Sequence, residues 1–140
     1  MITVVRAETP EPSARCEGTF TGEAWKDTIL SRRDGIAMGN VFFAPKARTY
    51  WHAHEGGQIL IVTAGEGFVG DDRGVVRVQA GDTIWTPPGV RHWHGAAADR
   101  YMIHTAISIA GVDWFDPVSD EDYSSGRADD LSIATSTRGR

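Results

Sequence analysis

Cysteine is almost absent from this chain, and long apolar runs are absent altogether. Cys16 is the only cysteine, so no disulfide can form within the chain. No apolar run approaches the roughly 18 residues that a membrane-spanning helix needs, and residues 1–6 place no long apolar core behind a basic start. We therefore expect a cytoplasmic protein with no membrane partner.

Clusters of basic residues are absent as well. The chain carries 14 Lys and Arg against 19 Asp and Glu, which gives a formal net charge of −5. A protein that binds a phosphate backbone needs its basic residues gathered on one surface, and here they are dispersed. We expect no nucleic-acid partner.

The length and composition indicate one domain. The chain has 140 residues, 41% of them apolar, which is enough for one proper core and too short for two typical domains. Pro10, Pro12 and mixed charge without periodicity predict an extended N-terminal arm over residues 1–19. A β domain is expected over 20–116, followed by a C-terminal region over 117–140.

The middle of the chain alternates short apolar runs with Gly, Pro and Asp. This pattern is typical of an all-β sandwich or barrel. The predicted strands cover residues 39–44, 49–54, 58–64, 67–70, 75–78, 82–86, 92–95 and 100–108, with a polar turn at 71–74.

The C-terminal region predicts one short helix. Ser119 is a suitable N-cap, and the three acidic residues that follow it favour a helix N-terminus. After Ser124 the composition turns to Ser, Thr, Gly, Arg and Asp, which bury too little apolar surface to offset the entropy of ordering. We expect a disordered tail from Gly126.

Four of the five histidines fall in two H-x-H pairs, His52/His54 and His92/His94. Residues two apart on a strand point to the same face, so the imidazoles of each pair converge. Gln58 is an even number of residues from His52 and His54, so on a continuous strand it would point to the same face; we call this having the same parity. Gly56 and Gly57, however, bend the chain between them. The alternative is a set of unrelated surface or core histidines. We favour one divalent metal ion on His52, His54, Gln58 and His92.

The spacing of these residues resembles the two motifs of the cupins. The first motif, G(x)5HxH(x)3,4E(x)6G, is matched by His52, His54, Gln58 and Gly65, with Gln58 for the usual Glu and Lys46 for the first Gly. The second, G(x)5PxG(x)2H(x)3N, is matched by Gly81, Pro87, Gly89 and His92, with Ala96 for the final Asn. The resemblance implies an all-β, single-domain cupin barrel, a double-stranded β-helix or jelly roll.

A narrower resemblance connects the chain to the bacterial cupin hydroxynitrile lyases. It rests on residues 39–41, 47–54, 56–62, 87–96 and 114–121. It implies a site of three His and one Gln, usually holding manganese, that reversibly cleaves cyanohydrins into HCN and an aldehyde or ketone. It also implies that Thr49, His94 and His104 line the active site.

The parity of the histidines agrees with those roles. His94 shares the parity of His92, so it should also point into the barrel and is our first candidate for a general acid or base. His104 lies on an alternating strand, with Met102 and Ala106 on its face. Alternatively, His94 lies on the surface or supports the metal ligands without taking part in catalysis. The alternative for His104 is a histidine that is hydrogen-bonded within the core. Thr49 has the opposite parity to His52. It can reach the cavity only if the chain bends at the start of the strand.

Gln58 in place of a carboxylate leaves the ion with its full charge, which makes it a stronger Lewis acid. Nitrogen and oxygen ligands suit Fe, Ni, Co and Zn as well as Mn. Glu55 faces away from His54, so an oxygenase-type triad of two histidines and a carboxylate is unavailable locally. A cupin oxygenase and a non-catalytic small-molecule-binding cupin remain the alternatives to the lyase. We expect a small-molecule substrate and a homodimer or higher homo-oligomer that pairs through edge strands and the N-terminal arm.

Overall fold

The computed structural model describes residues 1–8 and 11–125. Within them the chain forms twelve strands and one helix, with the bounds β1 Ala14–Arg15, β2 Phe20–Thr21, β3 Ala24–Arg33, β4 Ile36–Phe43, β5 Arg48–Thr49, β6 His52–His54, β7 Gln58–Asp71, β8 Gly74–Gln79, β9 Thr83–Thr86, β10 Trp93–Ala96, β11 Met102–Ile109, β12 Val112–Trp114 and α1 Asp120–Ser124. The predicted all-β class with one short C-terminal helix is confirmed. None of the described residues forms a helix long and apolar enough to cross a membrane.

Antiparallel pairing joins ten of these strands into one sheet. The order is β1-β3-β4-β11-β7-β10-β5-β2, and β8 and β9 both pair with β7. β6 and β12 form a separate two-stranded sheet. The predicted polar turn at 71–74 joins β7 to β8, with Asp71 opposite Gly74. The division into an arm, a barrel and a C-terminal region stays a prediction.

β7 runs without a break where the sequence predicts two strands, 58–64 and 67–70. Its first part pairs with β9 and β11, and its second part pairs with β8 and β10. Gly65 lies between the two parts with a φ of 73°, and a Cβ there would lie 1.9 Å from the carbonyl oxygen of Tyr101. Glycine therefore allows one strand to pass from one half of the sheet to the other without a loop.

Two further strand predictions differ from the structure. The single strand predicted over 49–54 is wrong, because Tyr50 and Trp51 separate β5 from β6. β3 spans ten residues and was not predicted, because exposed polar residues such as Lys26 and Asp27 interrupt its apolar alternation. Long-range pairing with β4 stabilises β3 despite its composition.

The buried apolar residues form two clusters. One fills the space inside the curved sheet and includes Val41, Phe43, Val62 and Met102. The other lies beneath the C-terminal segment and consists of Trp51, Val75, Trp93, Val118 and Tyr123. Trp51 and Trp93 thus pack in the wall of the barrel.

The C-terminal helix begins where the sequence predicts. Ser119 is its N-cap, and the Ser119 hydroxyl accepts a hydrogen bond of 3.0 Å from the backbone N–H of Asp122. The tail predicted from Gly126 lies outside the described residues.

Candidate metal centre

Two chain segments bring the predicted ligands together. β6 carries His52 and His54, and its backbone joins the turn before β10 through reciprocal hydrogen bonds between His52 and His92 of 2.8 and 2.9 Å. Nitrogen atoms of His52, His54 and His92 all lie within 4.8 Å of one another, and the three residues are buried. Gln58, the first residue of β7, is buried beside them, with its Oε1 3.2 Å from His92 Nε2.

Backbone carbonyls set the tautomers of two of these histidines. His52 Nδ1 lies 2.9 Å from the carbonyl oxygen of Tyr50, and His92 Nδ1 lies 2.9 Å from that of Val90. A neutral imidazole has one N–H, and here that N–H donates to the carbonyl. The Nε2 atom of each ring therefore keeps its lone pair and faces the interior.

Ser108 orients the Gln58 side chain. The amide Nε2 donates to the Ser108 hydroxyl at 3.0 Å, which leaves Oε1 on the side of the histidines. Oε1 and His92 Nε2 are then two acceptors that face each other at 3.2 Å with no proton between them. A cation bound to both atoms would remove the repulsion between these two acceptors.

His54 supplies a further test of fit. Neither of its ring nitrogens has a hydrogen-bond partner among the described residues, although both are buried. A buried polar group without a partner is costly, and a metal ion provides the missing partner. Three imidazoles and one amide oxygen thus make a donor set that fits a divalent transition metal.

Burial keeps these ligands neutral. Desolvation lowers the pKa of His52 to about 2, and repulsion from His92 adds to this effect. The same two causes lower the pKa of His54 to about 4, and desolvation also lowers the pKa of His92. Near pH 7 all three rings can bind a metal without first losing a proton.

His94 and His104 form a hydrogen-bonded pair beside the three histidines. His104 Nε2 lies 2.9 Å from His94 Nδ1, and both residues are buried. The ring centroids of His94 and His52 are 5.2 Å apart. Burial lowers the pKa of His104 to about 4 and holds the pKa of His94 well below its usual value, with repulsion from His104 as a second cause. His94 Nε2 has no hydrogen-bond partner among the described residues.

Thr49 adjoins this pair through the backbone. Its hydroxyl accepts a hydrogen bond of 3.2 Å from the His94 N–H, and the residue is buried. The chain leaves β5 immediately after Thr49 and begins β6 at His52, so the bend that the sequence requires is present. Glu55 is exposed, and its carboxylate accepts from the Gly111 N–H, away from the ligands.

Two residues of this site were missed by the sequence reasoning. Ser108 has the parity of His104 on β11, so strand alternation was an available signal. Trp114 had no such signal, because β12 meets β6 only in the fold, where Trp114 lies opposite His52 with 4.6 Å between the ring centroids. The indole lies between one face of the His52 ring and solvent, because it contacts that ring on one side and is itself 40% exposed.

Comparisons with known proteins agree with this geometry. The Cupin domain family model matches residues 39–107. An (R)-mandelonitrile lyase from Granulicella tundricola is 43% identical over 111 residues, which cover 74% of this chain and 85% of that protein. Both comparisons include the segment that carries the four side chains, His52, His54, Gln58 and His92.

Solved structures show the same fold. A cupin-like protein from Thermotoga maritima superimposes with a TM-score of 0.78 at 34% identity and covers 85% of this chain and 97% of its own. A predicted oxalate decarboxylase from the same organism has a TM-score of 0.68 at 23% identity, over 78% of this chain and all of its own, and shows the fold alone. With 43% identity to a curated relative and a matching domain model, the chain belongs to the cupin family.

Proposed function

We propose that this cupin is a metal-dependent hydroxynitrile lyase, which reversibly cleaves a cyanohydrin into HCN and an aldehyde or ketone. The observation that carries the proposal is the buried cluster of three histidines and one glutamine beside the His94–His104 pair. The 43% identical (R)-mandelonitrile lyase supports this choice of reaction. We further propose that the protein acts in the cytoplasm on a small-molecule substrate, as a homodimer or higher homo-oligomer.

His52, His54, Gln58 and His92 would hold the divalent ion, which we propose is manganese, with Fe, Ni, Co or Zn as alternatives. A bound ion supplies Lewis-acid stabilisation of negative charge on the cyanohydrin oxygen. The protein's own contribution is a set of neutral, desolvated ligands, of which His52, His92 and Gln58 are oriented by hydrogen bonds to Tyr50, Val90 and Ser108. Because Gln58 is uncharged, none of the four side chains offsets the charge of the ion.

His94 is the group that we propose moves the proton. Cleavage breaks the bond between the carbinol carbon and the nitrile carbon, whose electron pair leaves with cyanide. The hydroxyl group loses a proton and cyanide gains one, so a single group that accepts and then donates a proton is sufficient. With Nδ1 donating to His104 Nε2, the Nε2 of neutral His94 keeps a lone pair that can accept this proton.

His104 and Thr49 complete the proposed site. In the tautomer with His94 Nδ1 as the donor, His104 Nε2 accepts this hydrogen bond and so stabilises the charge that His94 carries between accepting and donating the proton. Thr49 holds the backbone of His94 through its hydroxyl. The exposed position of Glu55 argues against an oxygenase-type carboxylate ligand from this segment.

The test is an assay of the purified protein loaded with Mn, Fe or Zn after its metal content has been measured. We expect racemic mandelonitrile to release cyanide and benzaldehyde in equal amounts, without oxygen consumption. The matched control is the Gln58→Ala/His92→Ala double variant. Cyanide release no faster than in this control contradicts the lyase, and substrate-dependent oxygen consumption points to the oxygenase instead.

The variants His94→Ala and His104→Ala test the histidine pair separately from the ligands. We expect kcat to fall by about 100-fold or more in each variant while metal content stays unchanged. If both variants keep every measured activity and ligand affinity, the site is a non-catalytic binding site.

A further inference from the structure

Five aromatic side chains form a closed circuit of ring contacts at the candidate active site. The ring centroids are 4.6 Å apart from Trp114 to His52, 5.2 Å from His52 to His94, 5.9 Å from His94 to Phe43, 5.8 Å from Phe43 to Phe20 and 6.3 Å from Phe20 back to Trp114. His52, His94 and Phe43 are buried, whereas Phe20 is half-buried and Trp114 is 40% exposed. Within this circuit, solvent therefore contacts mainly Phe20 and Trp114.

Strand register places these two outer rings on the same face as residues of the site. Phe20 lies opposite Thr49 in the pairing of β2 with β5, and Trp114 lies opposite His52 in the pairing of β12 with β6. Residues directly opposite each other in an antiparallel pair point to the same face. Both rings therefore lie on the face that carries Thr49 and His52.

The strands β2 and β12, which carry Phe20 and Trp114, form the outer margin of this layer. β5 lies between β10 and β2, and β6 lies between His92 and β12. No further strand of the described chain pairs with β2 or β12. β2 has two residues and β12 has three, so few backbone hydrogen bonds would break if either strand moved.

Two glycines bracket Phe20 in the sequence. Gly18 and Gly22 have φ values of 83° and 82°, in the left-handed region that glycine adopts without strain. Apart from its chain neighbours, no atom lies within 4 Å of the position that a Cβ on Gly18 would take. Phe20 therefore lies on a short segment with a conformationally permissive residue at each end, as is common at hinges.

Movement of some covering group is necessary before a substrate can contact the histidines. Nε2 of His94, the atom of the proposed proton transfer, is buried, and so are both ring nitrogens of His54. Segments with few backbone hydrogen bonds and partial exposure open at the lowest cost in free energy. In the aromatic circuit, this description fits Phe20 and Trp114 and does not fit the buried Phe43.

We propose that Phe20 and Trp114 form the entrance to the candidate active site, and that they contact the non-reacting substituent of the bound substrate. This inference rests on the proposed function, because it assigns the two rings a role in binding the cyanohydrin. Neither ring carries a charge, so together they favour an apolar substituent. Because Trp114 also contacts His52, closure of the entrance restores the packing around a proposed metal ligand.

The first experiment measures access to the histidines without using lyase activity. The full chain as purified is treated with diethyl pyrocarbonate, which acylates neutral imidazoles, and the rate of acylation is followed by ultraviolet absorbance. All five histidines are buried, so this rate reports opening of the structure. We expect Phe20→Leu and Trp114→Ala each to raise the rate by about 10-fold, because the ring contacts that hold the entrance closed are lost.

Phe115→Ala is the matched control and should leave the acylation rate unchanged. Phe115 follows Trp114 and is 46% exposed, but its ring lies 6.0 Å from the Arg91 guanidinium and makes no ring contact with a histidine in the described part of the chain. The urea midpoint of each variant shows whether the protomer is folded. Phe20→Leu keeps an apolar side chain against the core, and Trp114 is already partly exposed, so we expect both variants to fold. Rates equal to that of the wild type in both variants overturn the proposal, and so does an equal rise in Phe115→Ala.

The second experiment measures selection between substrates. It compares kcat/KM for mandelonitrile, which carries a phenyl substituent, with kcat/KM for lactonitrile, which carries a methyl group. We expect Phe20→Leu and Trp114→Ala to lower the ratio of these values by about 10-fold at unchanged metal content, because only the phenyl group reaches the two rings. An unchanged ratio in both variants overturns the contact with the substituent. A wild type that releases no cyanide from either compound contradicts the lyase alone, and the acylation rates then decide whether Phe20 and Trp114 form the entrance.

Discussion

Gln58 differs from His52 and His92 in how its proposed ligand atom is oriented. An imidazole presents Nε2 once a backbone carbonyl holds Nδ1, as Tyr50 and Val90 do for His52 and His92. An amide can present either its oxygen or its NH2 group, and only the oxygen can bind a cation. The hydrogen bond from Gln58 Nε2 to the Ser108 hydroxyl holds the amide with its oxygen towards the histidines.

We therefore predict that Ser108→Ala weakens metal binding by about 10-fold, because the amide is then free to rotate. The measurement is a titration of the metal-free protein with Mn or Zn in competition with a chelator. Ser108→Thr keeps the hydroxyl and is the matched control, with affinity near that of the wild type. Equal affinity in Ser108→Ala and the wild type would show that Ser108 does not orient the amide.

Strand alternation predicted part of the candidate site, and the family resemblance supplied the rest. The period of two identified the convergence of His52 with His54, the outward direction of Glu55 and the inward direction of His94, whereas Thr49 and His104 were implied by the resemblance. It could not identify Trp114, because the partner of a residue across a sheet depends on the register between distant segments. Local sequence carries no record of that register.

At the scale of elements, the C-terminal segment supports the strands that carry Thr49 and His94. The Tyr123 hydroxyl donates to the carbonyl oxygen of Ala96, at the end of β10, at 2.7 Å. The guanidinium of Arg48, in β5, lies 4.5 Å from the centre of the Tyr123 ring and donates to the Val118 carbonyl oxygen at 2.9 Å. The short helix α1 is thus held against β5, which carries Thr49, and β10, which carries His94.

Tyr123→Phe is predicted to lower the free energy of unfolding by about 1–2 kcal/mol, because a buried hydrogen bond is lost while the ring is retained. Urea unfolding measures this change. Asp120→Asn is the control: its carboxylate pairs with Arg48, but the side chain is 98% exposed, so its loss should cost less than about 0.5 kcal/mol. A larger loss in Asp120→Asn than in Tyr123→Phe would contradict this ranking.

Element boundaries were predicted less well than element types, for a physical reason that β7 illustrates. Gly65 reads as a turn residue, and a turn is what the sequence predicts there. In the fold its positive φ lets the strand bend and continue, because β8, β10 and β11 supply partners on both sides of the bend. Whether a glycine ends a strand or bends it depends on those partners.

For the whole molecule, all five histidines have a pKa lowered by burial. The folded protein holds these rings neutral to about pH 4 in His54 and His104, whereas the unfolded chain protonates them near pH 6.5. Between these values the unfolded state binds more protons than the folded state. Stability is therefore full above pH 6.5 and is lost as the pH falls from 6.5 towards 4.

We predict that the metal-free protein has a lower urea midpoint at pH 5 than at pH 7.5, with the loss beginning near pH 6.5. The measured slope reports the protons taken up on unfolding, up to one for each histidine. His104→Leu removes one of these groups and should reduce the slope without touching the proposed metal ligands. Added Mn or Zn should raise the midpoint at both pH values, because burial keeps the proposed ligands neutral in the folded chain and an ion that binds the folded state stabilises it. A midpoint that is constant from pH 7.5 to pH 5 would contradict this prediction, because the histidines would then titrate in the folded chain as they do in the unfolded chain.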